Sequence, residues 1–179
     1  MQRRFFVKCL KREDMDFLPE VRAVDDPKFD AEKFYDVLRN IYEVGLPFNR
    51  LIGMKVVELD KDNISMKIER RDELIGNPLR NILHGGVISS VIDVVGGLTA
   101  SVGLLQQLAD SSIEEVEKRF SKMGTIDLRV DYLRGGHGQE FLCSGSLLRT
   151  GNKVAVTRME FRNEKDLLIA VGTGTYMVG

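Results

Sequence analysis

Apolar residues recur with two different periods along this chain. Between Asp30 and Val44, the residues Phe34, Val37, Leu38, Ile41 and Val44 fall at helical spacing. That pattern predicts an amphipathic helix, with Asp30 as N-cap, Gly45 as its stop and Pro47 reinforcing the stop. Further on the period becomes two. "LIGMKVVELD" and "ISMKIER" read as strands around a polar turn at Lys61, Asp62 and Asn63, and in the second Ile64, Met66 and Ile68 alternate with polar neighbours. The last third predicts strands throughout. "TIDLRVDYL" alternates through Ile126, Leu128, Val130 and Tyr132, "EFLCSGSLLRT" and "KVAVTRMEFR" join at Gly151 and Asn152, and "LLIAVGTGTYMV" follows.

One stretch obeys neither period. From Val87 to Leu105 the chain is apolar on most of a helix's circumference. It approaches the roughly 20 residues that cross a bilayer. Asp93 near its middle would cost about 2.5 to 3.5 kcal/mol there, and Ser89, Ser90, Thr99 and Ser101 dilute it further, so it reads as a helix inside a soluble core. A loop with Gly76, Asn77 and Pro78 leads into it. "SSIEEVEKRFSKMG" follows as a short exposed helix, with Ser112 and Glu115 placed as a capping box. Hairpin-linked strands imply an antiparallel sheet, and a helix apolar nearly all round requires that sheet to wrap it: an α+β fold.

Composition narrows the function. With 179 residues, the chain has room for one well-filled domain. A formal net charge of -1, with Lys and Arg scattered, carries no footprint for nucleic acid and none for an anionic membrane. The two cysteines, Cys9 and Cys143, lack metal-site spacing and form no disulfide framework. A reducing cytoplasm is the expected location, and the N-terminus lacks the apolar core of a signal peptide.

The candidate chemistry sits in "NILHGGVISSVIDVVGGLTA". Ser89, Asp93, Gly96, Gly97 and Ala100 form one stripe in which every member but Asp93 is small. Such a stripe admits another backbone or a ligand. Gly85 and Gly86 leave the N–H groups of the first helical turn unshielded, at the positive end of the dipole, where a carbonyl gaining negative charge can be held. Asp93 suits a general base for water or a nucleophile. Eight residues separate Gly85 from Asp93, about 12 Å along a helix, so one carbonyl cannot meet both on the same helix. If both act, two antiparallel copies must face each other in a homodimer with the site at the interface. The alternatives are structural: Asp93 bonded to Ser89 or to a partner chain, and a histidine and two glycines that merely shape a turn.

"HGGVISSVID", with "TIDLRVDYLR" and "RTGNKVA", resembles the hotdog-fold acyl-CoA thioesterases of the PaaI type, from about Phe48 to the C-terminus. The resemblance implies a sheet wrapped around a central helix. It divides the chain into an N-terminal charged segment and helix (1–47) and a hotdog domain (48–179) with an insertion at about 106–123. It implies hydrolysis of an acyl-CoA thioester without metal or other cofactor, by a homodimer or a dimer of dimers. The catalytic acid falls on Asp93, the carbonyl-polarising amide on Gly85 and an assisting asparagine on Asn77, with Asn81 as substitute. A water-orienting hydroxyl falls on Thr125, and His84, Gly86 and Ser89 are expected beside the substrate. Arg134 and Arg149 are strand-end arginines not assigned to the CoA phosphates, His137 is read as a loop residue, and Cys143 as a small core residue. A non-catalytic acyl-CoA-binding module is the competing reading. A hotdog dehydratase ranks last, because no proline-rich stretch accompanies His84.

Overall fold

The computed structural model describes residues 31–109 and 111–179, so the expectations at Asp30 and Cys9 lie outside the described residues. Helix α1 (Ala31–Asn40) buries Leu38 and runs on through one π-helical turn, Ile41–Gly45. The helix does stop at Gly45, but Pro47 opens the next element instead of reinforcing the stop. It occupies the first turn of α2 (Pro47–Ile52), where a missing N–H leaves no bond unmade. Leu51 and Ile52, expected at the head of a strand, end this short helix. Gly53 closes it in the left-handed region at φ 82.

The sheet contains β1 (Lys55–Leu59), β2 (Ile64–Glu69), β5 (Gly124–Tyr132), β6 (Glu140–Thr150), β7 (Val154–Asn163) and β8 (Leu168–Met177). Its order is β1-β2-β6-β7-β8-β5, and every pairing is antiparallel. The β6–β7 connection runs through Gly151, Asn152 and Lys153, one residue more than the expected pair, and the bond from Gly151 N–H to Val154 O at 2.8 Å puts its tip at Asn152 and Lys153. Between β2 and the long helix lies a two-strand ribbon, β3 (Ile75–Asn77) and β4 (Ile82–Leu83), where a plain loop was expected. It presses on the turn that follows. A Cβ at Gly76 would stand 2.5 Å from the His84 Cα, so only glycine allows the approach.

Helix α3 (Gly85–Gln107) packs against β2, β5, β6, β7 and β8. It is long and apolar enough to cross a membrane by composition, yet 67% of that apolar window is enclosed by the fold. Ile92, Val95, Leu98 and Leu104 are fully buried against Met66, Ile68, Phe161 and Met159 in one core. Each such aliphatic side chain contributes about 1.5 to 3 kcal/mol of burial, which is why the sheet curls around the helix.

The expected short helix is α4 (Ile113–Phe120), with the Ser112 Oγ accepting from the Glu115 N–H at 3.3 Å. It buries Val116, and Phe120 meets Phe34 of α1 at 5.5 Å between ring centroids. Arg119 pins it to the sheet through Val178 O and Asn152 O, at 2.7 and 2.8 Å.

Strand β5 departs from the clean alternation expected of it. Thr125 pairs with Tyr176 and Asp127 with Thr175, so Ile126 is an extra residue, a β-bulge. Ile126 consequently turns outward, 56% exposed, instead of joining the inward set of Leu128 and Val130.

Candidate active site

Four N–H groups at a helix start have no partner within the helix. At α3 three of them find partners. His84 N–H donates to Leu74 O at 2.8 Å, Val87 N–H to His84 O at 3.0 Å, and Gly86 N–H to the His84 ring Nδ1 at 2.8 Å. Only Gly85 N–H is left without one among the described residues. Both glycines were expected to offer free donors; the histidine cap removes Gly86 from that set and singles out Gly85. The cap also requires the His84 tautomer with its proton on Nε2. From the other side, the Tyr132 hydroxyl donates to Gly85 O at 2.9 Å.

Two turns further, Asp93 is half-buried on the face of α3 turned toward β5 and β8. Its Oδ1 accepts from the Thr125 hydroxyl at 2.9 Å and lies 3.2 Å from the Tyr176 hydroxyl, which also donates to the Asp93 main-chain oxygen at 3.0 Å. Its Oδ2 has no partner among the described residues. Ser89, the expected alternative partner, instead donates to Gly86 O at 3.0 Å, alongside Ser90 at 2.7 Å. Burial pushes the Tyr176 hydroxyl above its ordinary range, and the Asp93 charge adds to the shift. Tyr42, from the π-helical turn, lies 3.3 Å from Ser101 Oγ. Its hydroxyl is pushed up to about 12, first by burial, then by the Asp93 charge, with the Ser101 bond opposing. Both phenols therefore remain protonated donors near neutrality.

The small-residue stripe is only partly open. A Cβ on Gly96 would stand 2.1 Å from the Tyr176 oxygen, and one on Gly97 would stand 3.5 Å from the Tyr42 oxygen. The tyrosines fill the far half of the stripe. Ser89 and Asp93 make up the half that remains partly open.

Asn77 stands at the end of β3, immediately after the glycine that abuts His84. Its Oδ1 accepts from Arg80 N–H at 3.1 Å, leaving its Nδ2 as donor. Asn81 Oδ1 accepts from the Arg70 guanidinium at 2.6 Å, and the residue sits at φ 50. His137 lies in the loop before β6, where its main-chain oxygen accepts from Asn163 at 2.8 Å. Cys143 is a free thiol, fully buried, and that burial raises its pKa and suppresses the thiolate. Tyr176, Tyr132 and Tyr42 were not singled out from the sequence. The nearest signal was "GTGTY": Gly174, two residues before Tyr176 and on the same strand face, leaves room for the phenol ring, which a Cβ there would meet at 2.6 Å.

An amide donor and an oriented carboxylate thus occupy one helix, about 12 Å apart by its rise. The first suits a carbonyl oxygen gaining charge, the second the activation of water or direct attack at a carbonyl.

Comparison with known proteins gives this arrangement a family. A thioesterase superfamily model matches residues 80–170. The chain is 44% identical over 149 residues to the medium/long-chain acyl-CoA thioesterase YigI of Escherichia coli K12, covering 83% of this chain and 96% of that one. A crystal structure of a Shewanella oneidensis protein related to the thioesterase superfamily is 47% identical, with a TM-score of 0.81 over 83% of this chain and 97% of that one. One from Syntrophus aciditrophicus is 43% identical, with a TM-score of 0.73 over the same shares. The chain belongs to the thioesterase superfamily and has its hotdog fold.

Proposed function

We propose that this protein is an acyl-CoA thioesterase that hydrolyses medium- to long-chain acyl-CoA to the free acid and CoA. The thioester carbonyl rests on the Gly85 N–H, with Asn77 Nδ2 assisting. Asp93 Oδ2 either takes a proton from the attacking water or attacks the carbonyl carbon itself to form a mixed anhydride that water then hydrolyses; in both cases the C–S bond breaks as the CoA thiolate leaves and is protonated. The observation that carries this reading is the single unsatisfied amide at the α3 start on the same helix as an anchored carboxylate. The relationship to an acyl-CoA thioesterase at 44% identity supplies the substrate class. His84, Gly86 and Ser89 border the substrate at that helix end, and Thr125 holds the carboxylate.

Since one helix cannot bring both groups to one carbonyl, a homodimer belongs to the same reading, with a dimer of dimers compatible with it. Strand β5 supports it: it is an end strand of the sheet and carries the outward Ile126. The division into an N-terminal segment (1–47) and a PaaI-like hotdog domain (48–179) also stays part of this reading. So does a cytoplasmic location, supported by the CoA-ester substrate class of the relatives.

A panel of acyl-CoA esters, with released CoA trapped by a thiol reagent, tests the reading. Hydrolysis of C8 to C16 chains that Asp93→Asn reduces at least a hundredfold is the expected result (an order-of-magnitude figure for a lost catalytic group, about 10² to 10⁴). Binding without CoA release across the panel, with Asp93→Asn harmless, makes the protein an acyl-CoA-binding module instead. Single turnover in labelled water gives a one-sided test of the two roles: label appearing on Asp93 marks direct attack.

A further inference from the structure

We propose that Tyr176 is a positioning residue for thioester cleavage: together with Thr125 it grips Asp93 Oδ1 and leaves Oδ2 as the oxygen that acts. The inference rests on the reading of Asp93 as the catalytic acid and names what aims it.

Thr125 and Tyr176 are direct cross-strand partners on β5 and β8. Directly opposed residues of an antiparallel pair project from the same face, so two hydroxyls reach one carboxylate oxygen, at 2.9 and 3.2 Å. The Ile126 bulge puts Thr125 in this register. Thr125 and Tyr132 are an odd number of residues apart and would face opposite sides of an unbroken strand; the extra residue lets both reach α3. The phenol is held equally firmly. Its ring lies where Gly96 of α3 and Gly174 of β8 lack side chains, since a Cβ at either would come within 2.1 and 2.6 Å of it. Its bond to the Asp93 main-chain oxygen at 3.0 Å ties the hydroxyl to the helix itself, so the carboxylate cannot swing without losing a fixed donor. A carboxylate with one oxygen doubly engaged presents the other in a single direction, the geometry that a reacting group within about 3 to 3.5 Å requires. Tyr176 touches no reacting atom in this scheme; it acts through Asp93.

The test uses the full-length protein and an acyl-CoA it hydrolyses. Tyr176→Phe removes one oxygen and keeps the ring. The expected result is a kcat about tenfold lower with KM within twofold, since a hydrogen bond to a charged group is lost from the aimed carboxylate and not from the substrate. Thr125→Val should do the same. The double variant should lose less than the product of the two, because both grip the same oxygen. Gly96→Ala keeps the hydroxyl but drives it off Asp93, and should match Tyr176→Phe. Rates are taken per folded molecule, below the melting transition of each variant. A merely structural tyrosine lowers that transition and leaves kcat per folded molecule unchanged, which overturns the proposal. Multiplicative losses in the double variant also overturn it. If Tyr176→Phe keeps wild-type kcat while Asp93→Asn is dead, the positioning role falls and the catalytic reading stands. If Asp93→Asn is active, both fall.

Discussion

The Tyr132 hydroxyl donates to the Gly85 carbonyl across 2.9 Å, so the strand that reaches Asp93 through Thr125 also holds the start of the helix. One strand thereby sets the placement of both halves of the chemistry. Tyr132 is half exposed, at 51%, so its bond is worth the low end of the range for a neutral pair, about 0.5 kcal/mol. Tyr132→Phe should therefore lower stability only slightly in urea denaturation. Its kcat should fall about two- to threefold, less than for Thr125→Val, because one neutral bond is lost at the helix end and the carboxylate stays held. A loss larger than that of Thr125→Val would assign Tyr132 a direct part in the reaction.

The His84 ring caps α3 through its Nδ1, so an acceptor at that position is worth more than its side chain's bulk. Replacing an N-cap acceptor by alanine costs about 1 kcal/mol. His84→Ala should lower the unfolding free energy by that amount, while His84→Asn, which offers an oxygen to the same N–H, should recover most of it. Thermal or urea denaturation of the two variants side by side checks the prediction. Equal losses would mean that the ring serves by packing on Gly76 and not by capping.

The wrapped helix was legible in the sequence because its apolarity runs round the whole circumference from Val87 to Leu105, which only an enclosing sheet can bury. Asp93 and Gly85 stood out by residue type and spacing, and Thr125 only through the family resemblance. Tyr176 did not. On a half-buried strand a tyrosine reads as packing, and nothing in local composition tells which helix residue its hydroxyl meets. The Ile126 bulge was illegible for a related reason: "TIDLRVDYL" alternates equally well with or without a slipped residue, and the register is decided by β8 opposite. Pro47 illustrates a local ambiguity. Its lack of an N–H ends one helix and suits the first turn of another equally well.

Tyr42 makes the fold sensitive to alkali. Its hydroxyl is pushed from an ordinary value of 10.0 up to about 12, chiefly by burial. Between those two values the folded chain keeps this proton and the unfolded chain loses it, so its stabilising contribution is whole below pH 10 and is lost as pH rises toward 12. The slope reaches at most about 1.4 kcal/mol per pH unit. Tyr176 shifts in the same direction and adds to it. Tyr42→Phe should flatten the fall in urea midpoint between about pH 9.5 and 11.5, within the window set by linkage. An unchanged slope would show that the Tyr42 phenol ionises in the native state without cost.

Gly85→Pro gives the sharpest test of the amide. Proline at the first helical position removes the N–H and keeps the fixed φ that a helix start uses. The preceding residue, His84, already has the extended conformation proline demands, at φ -64 and ψ 134. The nearest atoms a Cβ at Gly85 meets belong to the Tyr132 side chain, at 3.6 Å and beyond, an ordinary contact. The variant should fold with nearly unchanged stability, yet lose about a hundredfold or more in kcat, as for removal of one oxyanion donor. Mixing it with Asp93→Asn then tests whether the site is shared. If each site takes its amide from one subunit and its carboxylate from the other, a mixed dimer of Gly85→Pro and Asp93→Asn chains contains one intact site and one doubly impaired site. Co-refolding the two inactive proteins in equal amounts makes about half of the dimers mixed, so activity should return to about a quarter of wild type by random pairing. If the amide and carboxylate serve one site from a single subunit, every site in every pairing stays impaired and nothing returns.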